Sequence, residues 1–162
     1  MTSATEPIHV LTDDEFRRQV SIALRQAAEH EDSFAVVVGV PKHLPPANAE
    51  DLLRFAAECV RRHVRGDDIV GKLDDGAIAI GARDTDKTEA SVLAHRVRNE
   101  LELQAHNLQH SIWDTGIAQL GEDGTSADSL IAVAITSARQ RRRNLASSTA
   151  PIAQPDVSIR RD

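Results

Sequence analysis

The sequence predicts an α/β fold of the α+β sandwich type, in which helices flank a mixed, mostly antiparallel central sheet. Helical and extended segments alternate in the order helix, strand, helix, hairpin, helix, strand, helix. An Asp-Gly pair separates two short apolar runs near the middle of the chain, which is typical of a β-hairpin. Aromatic residues make up only 2% of the 162 residues, so the core has to be aliphatic.

The first helix is predicted to begin after Thr12. A threonine followed three residues later by Glu15 forms a capping box, which satisfies two backbone N–H groups at the start of a helix. Phe16, Val20 and Leu24 then recur every four residues and form an apolar stripe.

The next elements are a strand, a helix and the two strands of a hairpin. SFAVVVGV, at 33–40, is a continuous apolar run that indicates a strand buried on both faces. A helix is predicted over 48–64. The hairpin strands are predicted over 68–73 and 77–82, joined by DDG at 74–76, because glycine accepts the positive φ of such a turn.

The second half of the chain continues with a helix, a strand and a helix. These are predicted over 85–105 with Thr85 or Asp86 as the cap, over 111–120, and over 129–143. The predicted organisation is a flexible lead-in at 1–10, one domain at 11–146 and a disordered tail at 147–162, which is rich in Ser, Pro and charge.

Composition excludes several classes of protein. The formal net charge of −6 argues against a nucleic-acid binder, and no apolar run is long enough to span a membrane. The first residues do not resemble a signal peptide, and the single Cys59 fits a reducing compartment. A cytoplasmic protein is therefore expected. Trp113 is expected to pack within a central strand, and Cys59 within the core.

Several short strings in this order are similar to the GGDEF domain of bacterial diguanylate cyclases. They are DDIVGKLDDGAIAIGARDTD at 67–86, DTGIA at 114–118 and GEDGTSADSLIAVA at 121–134. The resemblance covers roughly residues 11–144 and implies the nucleotide cyclase-like fold of that family.

The resemblance places the five signature positions of the family on the hairpin turn, at Asp74, Asp75, Gly76, Ala77 and Ile78. Family members have two glycines and then acids there, and a further metal-binding aspartate at the end of the first strand, where this chain has Gly39, Val40 and Pro41. Mg²⁺ requires hard oxygen ligands. The resemblance therefore implies a degenerate, non-catalytic domain with no metal and no cofactor, whose Asp74 and Asp75 form only the polar tip of a hairpin.

A second family motif is present just upstream. Arg65-x-x-Asp68 has the place and spacing of the RxxD inhibitory site that binds cyclic di-GMP, and Arg96 in AHRVR falls on the second arginine of that site. An arginine fork suits a phosphate or a guanine edge, and an aspartate can accept hydrogen bonds from guanine N1 and N2. The resemblance thus implies a bacterial signalling domain that binds cyclic di-GMP at these three residues.

Three other interpretations stay open at this point. Arg65 and Asp68 could form only a surface ion pair, worth ~0–1 kcal/mol. The fold could serve as a protein-interaction or homodimerisation module without nucleotide. The least favoured alternative is an active diguanylate cyclase with unusual residues.

His106 and His110 have a spacing at which two imidazoles can share a metal, but no acid nearby completes such a site.

Overall fold

The computed structural model describes residues 10–152, with side chains described for residues 10–140. Within this part of the chain, the elements follow the predicted order of helices and strands. They are α1 Asp13–His30, β1 Phe34–Pro41, α2 Ala49–Arg61, β2 Ile69–Leu73, β3 Ala77–Arg83, α3 Lys87–Leu103, β4 Trp113–Gln119 and α4 Ala127–Ile152. A 3₁₀ turn, Pro46–Asn48, precedes α2. None of the described helices is long and apolar enough to cross a membrane.

The sheet has the order β2-β3-β1-β4, and neighbouring strands pair antiparallel throughout. The predicted α+β class is therefore confirmed, but the sheet is less mixed than predicted. The parallel contribution is a single bridge, in which Leu11 pairs with Gly71 along the outer edge of β2. The Leu11 N–H donates to the Val70 carbonyl at 2.9 Å and so covers that edge.

Alternating residues of the central strands fill two separate cores. On β1, Val36 and Val38 face α1 and α4, whereas Ala35 and Val37 face α2 and α3. This two-sided burial confirms the expectation for β1, because a strand covered on both faces has apolar residues at every position. Cys59 lies in α2 and is buried, as expected.

Side-chain caps set the starts of α1 and α3. Thr12 accepts a hydrogen bond from the Glu15 N–H, and Glu15 reaches back to the Thr12 N–H, so the predicted capping box is present. Asp86 and Glu89 form the same arrangement at α3. Of the two predicted caps for that helix, Asp86 is the cap, and Thr85 lies one residue before it and is buried.

Two predictions about the C-terminal half differ from the structure. Trp113 is buried, but its strand β4 lies at the edge of the sheet and not at its centre, because β4 pairs only with β1. Helix α4 continues to Ile152, beyond the end of the helix predicted over 129–143. The predicted lead-in and tail otherwise lie largely outside the described residues, since 1–9 and 153–162 are not described.

Candidate functional site

Two loops meet at one end of the β2–β3 hairpin. Because β2 and β3 run antiparallel, with Ile69 paired to Gly81, the segment 62–68 before β2 lies beside the segment 84–86 after β3. These loops and one side of α3 enclose a cavity of about 290 Å³. The three residues predicted to bind a ligand, Arg65, Asp68 and Arg96, all line this cavity.

Asp68 is buried, although its ion-pair partner Arg65 is half-exposed. The Asp68 side chain is 3% exposed. Its two carboxylate oxygens accept hydrogen bonds from the backbone N–H of Arg65 at 3.1 Å and, more weakly, from that of Arg83 at 3.4 Å. Burial raises the pKa of Asp68, and the hydrogen bond from Arg65 and the charge of that residue counteract the rise only in part.

The loop that carries Arg65 is fixed from both sides. On the inner side, the Asp68 carboxylate accepts a hydrogen bond from the Arg65 N–H. On the other side, the guanidinium of Arg61, at the end of α2, donates to the carbonyl of Asp68 at 2.5 Å and to the carbonyl of Arg65. Both carbonyls belong to the loop between α2 and β2, so these contacts tie that loop to the end of the helix. Arg65 is thereby presented on an ordered loop.

The guanidinium of Arg65 is half-exposed and anchored at one nitrogen. Its Nη2 lies 3.6 Å from the Asp68 Oδ1 and donates to the Arg83 carbonyl and to the Thr85 hydroxyl, at 3.1 Å for the latter. Arginine has five N–H donors. The Nε and Nη1 donors have no partner among the described residues, so they are available to a ligand in the cavity.

Arg96 projects from α3 on the opposite side of the cavity. It is exposed, and within the described part of the chain its guanidinium has no hydrogen-bond or ion-pair partner. The nearby Arg98, in contrast, lies 3.6 Å from Glu102. An unpaired guanidinium facing a cavity is suited to an anion or to a hydrogen-bond acceptor.

The remaining lining of the cavity was not predicted from the sequence. Val64, Val92 and Leu93 supply apolar surface, Thr85 and Thr88 supply hydroxyl groups, and Asp84 and Glu89 supply carboxylates. Only one signal pointed to any of them, namely the position of Thr85 at the predicted start of α3. Val92 has the outward position of a helix and gave no sign of a role, yet it is 56% exposed beside Arg96.

The hairpin turn lies apart from this cavity. Asp74 and Asp75 are exposed and Gly76 has a φ of 91°, so 74–76 form the predicted glycine-dependent turn. The N–H of Asp74 donates to the carboxylate of Asp13 at 2.8 Å.

Burial opposes ionisation of Asp13, but this bond and the Arg17 guanidinium, 2.5 Å away, lower its pKa below the usual value.

The other two signature positions lie in the second hairpin strand, as predicted for 77–82, although Ala77 was also expected to be exposed at the turn. Ala77 and Ile78 are already the first residues of β3, and both are buried, one in each core. Gly39 in β1 pairs with Ile78, and β1 continues to Pro41. Among the described residues, no group of three or more His, Cys, Asp or Glu side chains is arranged to hold a metal ion.

Comparison with solved structures identifies the fold. The chain is similar to the GGDEF domain of PA1120 (YfiN or TpbB) from Pseudomonas aeruginosa, at 22% identity and a TM-score of 0.71, over 85% of this chain and 93% of that one. It is also similar to the active GGEEF domain of a diguanylate cyclase from Vibrio cholerae, at 12% identity and a TM-score of 0.72, over 84% and 93%. A third similar structure is the GGDEF domain of DgcB from Caulobacter crescentus in complex with c-di-GMP. Its sequence identity is 14% and its TM-score is 0.71, over 89% of this chain and 90% of that one.

These comparisons confirm the predicted GGDEF-domain fold. No protein-family model and no curated protein matches the sequence. At identities below 25%, the structural likeness establishes the fold alone.

The prediction that the chain is not an enzyme is contradicted. The similar structures are GGDEF domains of diguanylate cyclases, which is an enzyme family, and the Vibrio cholerae domain is an active one. The prediction was based on the residues at the five signature positions. Those residues do not by themselves establish that the domain is degenerate.

Proposed function

We propose that this domain, which has the fold of GGDEF domains, binds cyclic di-GMP in the cavity lined by Arg65, Asp68 and Arg96. The observation that supports the proposal is their convergence. The sequence motif singled out these three residues, and they lie on one cavity although they come from a loop and from a helix that is distant in the chain. A binding role explains why two arginines face the same small space.

The chemistry of the cavity suits a cyclic dinucleotide. Such a ligand carries two phosphodiester anions and two guanine bases, and arginine can contact either a phosphate or the O6/N7 edge of guanine. Arg65 offers its Nε and Nη1 donors, and Arg96 offers an unpaired guanidinium. The cavity volume of about 290 Å³ is near the lower end for ligand pockets, which suits one guanine base against the apolar side chains of Val64, Val92 and Leu93.

Asp68 has a structural role in addition to the ligand-binding role that the family motif implies. Its carboxylate already accepts two backbone hydrogen bonds, although a carboxylate has room for about four. We assign to it first the fixing of the loop that presents Arg65, and second the acceptance of a guanine N–H with its remaining lone pairs.

The similar DgcB domain was solved in complex with c-di-GMP, and so was a longer form that includes its coiled coil. That ligand belongs to DgcB. For this chain it motivates the choice of cyclic di-GMP as the first ligand to test.

Isothermal titration calorimetry with cyclic di-GMP tests the proposal. We expect saturable binding to the wild-type protein and at least tenfold weaker binding to Arg65→Ala, because a hydrogen bond to a charged group contributes ~1.5–3 kcal/mol. Arg96→Ala should lose less, since that side chain is exposed. The matched control is Arg98→Ala, which removes the same charge from the same helix outside this cavity.

Two outcomes of the titration contradict the proposal. One is the absence of binding to the wild-type protein at ~100 μM ligand, far above what a useful receptor needs. The other is an equal loss in Arg98→Ala and Arg65→Ala, which would show that general positive charge and not this cavity attracts the nucleotide.

A second candidate function, a protein-interaction or dimerisation surface, rests on the outer side of α3. Val92 is 56% exposed and Leu103 is 79% exposed. With Arg96 they line a second cavity, of about 370 Å³, beside the first. Exposed apolar side chains that lie together mark interaction surfaces. Sedimentation velocity of the wild type and of a Val92→Ser, Leu103→Ser double variant tests this, with loss of self-association in the variant as the expected result.

A further inference from the structure

A buried hydroxyl group lies directly behind the guanidinium of Arg65. It belongs to Thr85, which is 5% exposed and immediately precedes the cap of α3. The Thr85 Oγ1 donates to the carbonyl of Arg83 at 2.8 Å and accepts from the Arg65 Nη2 at 3.1 Å. The same Nη2 donates to the Arg83 carbonyl.

We infer that Thr85 is a positioning residue, which orients the Arg65 guanidinium so that its Nε and Nη1 donors face the cavity. An Nη atom has two N–H donors, and the Thr85 hydroxyl and the Arg83 carbonyl engage both of those on Nη2. The guanidinium is therefore held by hydrogen bonds from a single nitrogen atom, Nη2. Its other donors have no partner among the described residues.

The backbone of Thr85 is held in place on both sides, which keeps its hydroxyl group beside Arg65. The end of β3 precedes it, and the capping box of Asp86 and Glu89 follows it, so its backbone lies between two fixed elements. A half-exposed arginine that is free to rotate loses much conformational entropy when it binds a ligand. Fixing the guanidinium in advance reduces that cost, so Thr85 should strengthen binding through its effect on Arg65.

The effect on affinity depends on the proposed function and is measured by titration with cyclic di-GMP. Thr85→Val has nearly the same shape but no hydroxyl, and we expect about 3- to 10-fold weaker binding, the equivalent of one hydrogen bond. Thr85→Ser keeps the hydroxyl and should bind like the wild type. Thr85→Ala serves as a second variant if the valine variant does not fold, as judged from its thermal midpoint.

A double-mutant cycle separates positioning from a general structural effect. In the Arg65→Ala background, Thr85→Val should cause no further loss of affinity, because the guanidinium that it orients is absent. An equal loss in both backgrounds, or wild-type affinity for Thr85→Val, would overturn the inference.

A measurement without ligand distinguishes failure of this inference from failure of the proposed function. The ¹⁵N heteronuclear NOE of the Arg65 Nε reports how freely the guanidinium moves on the ps–ns timescale. It should be high in the wild type and in Thr85→Ser, and lower in Thr85→Val. If the wild type binds no cyclic di-GMP, the proposed function fails, and an unchanged NOE in Thr85→Val would refute the positioning role independently.

Discussion

Replacement of Asp68 by alanine should destabilise the fold and not only the ligand site. The carboxylate is buried and accepts the N–H of Arg65 at 3.1 Å and that of Arg83 at 3.4 Å, so it links the loop before β2 to the end of β3. Alanine would leave both donors without their acceptor in a place that water reaches poorly. The loop that presents Arg65 should then loosen.

The size of the effect follows from opposing contributions. A buried donor left unsatisfied costs ~1–3 kcal/mol, and the 3.4 Å contact is weak, so one full bond and part of another are lost. Removing a buried charge recovers part of this cost, since burial is also what raises the pKa of Asp68. We expect Asp68→Ala to lower the free energy of unfolding by about 1–3 kcal/mol, which corresponds to roughly 3–10 °C in Tm for a domain of this size.

Urea unfolding followed by circular dichroism measures this change. The control is Asp67→Ala, because Asp67 is exposed and its hydrogen bond from Arg83 is accepted by the backbone carbonyl, which alanine keeps. Its stability should stay within about 0.5 kcal/mol of the wild type. If Asp68→Ala were equally neutral, the carboxylate would not fix the loop, and the account of the site would be wrong.

The pH dependence has a definite sign. The pKa of Asp68 is raised on folding, so the folded state binds the proton more tightly than the unfolded state, whose value is near 3.8. The contribution of Asp68 to stability is therefore fully present below pH 3.8 and decreases as the pH rises through the higher folded value. The penalty for Asp68→Asn should accordingly be larger at pH 3.5 than at pH 7, and the opposite trend would contradict the direction of the shift.

Three further predictions concern packing, acid stability and the hairpin turn. Gly116→Ala should lower the free energy of unfolding in urea by more than about 3 kcal/mol, because a Cβ there would lie 1.9 Å from the Ala134 carbonyl oxygen of α4. The control is Gly66→Ala, whose Cβ would meet nothing within 4 Å and should leave the stability unchanged. Asp13 has a lowered pKa, so it stabilises above about pH 3.8 and loses that effect as the pH falls through its folded value; the advantage of the wild type over Asp13→Asn should shrink in acid unfolding. Asp74→Ala should leave both Tm and cyclic di-GMP affinity unchanged, because only its backbone N–H is used.

Local sequence signals predicted much of the fold. The capping box at Thr12, the Asp-Gly turn and the continuous apolar run of β1 depend on neighbours within a few residues, so they are readable without tertiary information. The strand order could not be predicted in the same way. Whether Trp113 lies in a central or an edge strand depends on pairings between distant segments, and periodicity does not encode them.

Three residues that line the candidate site could be selected from the sequence, but the geometry of the site could not be predicted. A motif selected Arg65, Asp68 and Arg96, but no local pattern shows that Asp68 is buried while the adjacent Asp67 is exposed. Residues 65–68 form a turn before β2, in which the Asp68 N–H donates to the Arg65 carbonyl, and the difference between the two aspartates arises because this turn directs the Asp68 side chain toward the end of β3. The role of Thr85 was hidden for a similar reason, since its partner Arg65 belongs to a different loop.

The central claim is that cyclic di-GMP binds in the cavity between the Arg65 loop and α3. Amide chemical-shift mapping of the wild-type protein during titration with cyclic di-GMP tests it most directly. We expect saturable shifts concentrated at 64–68 and 84–96, with the turn at 74–76 unaffected. No shift at ~100 μM ligand, or shifts concentrated at the turn and at the end of β1, would contradict it.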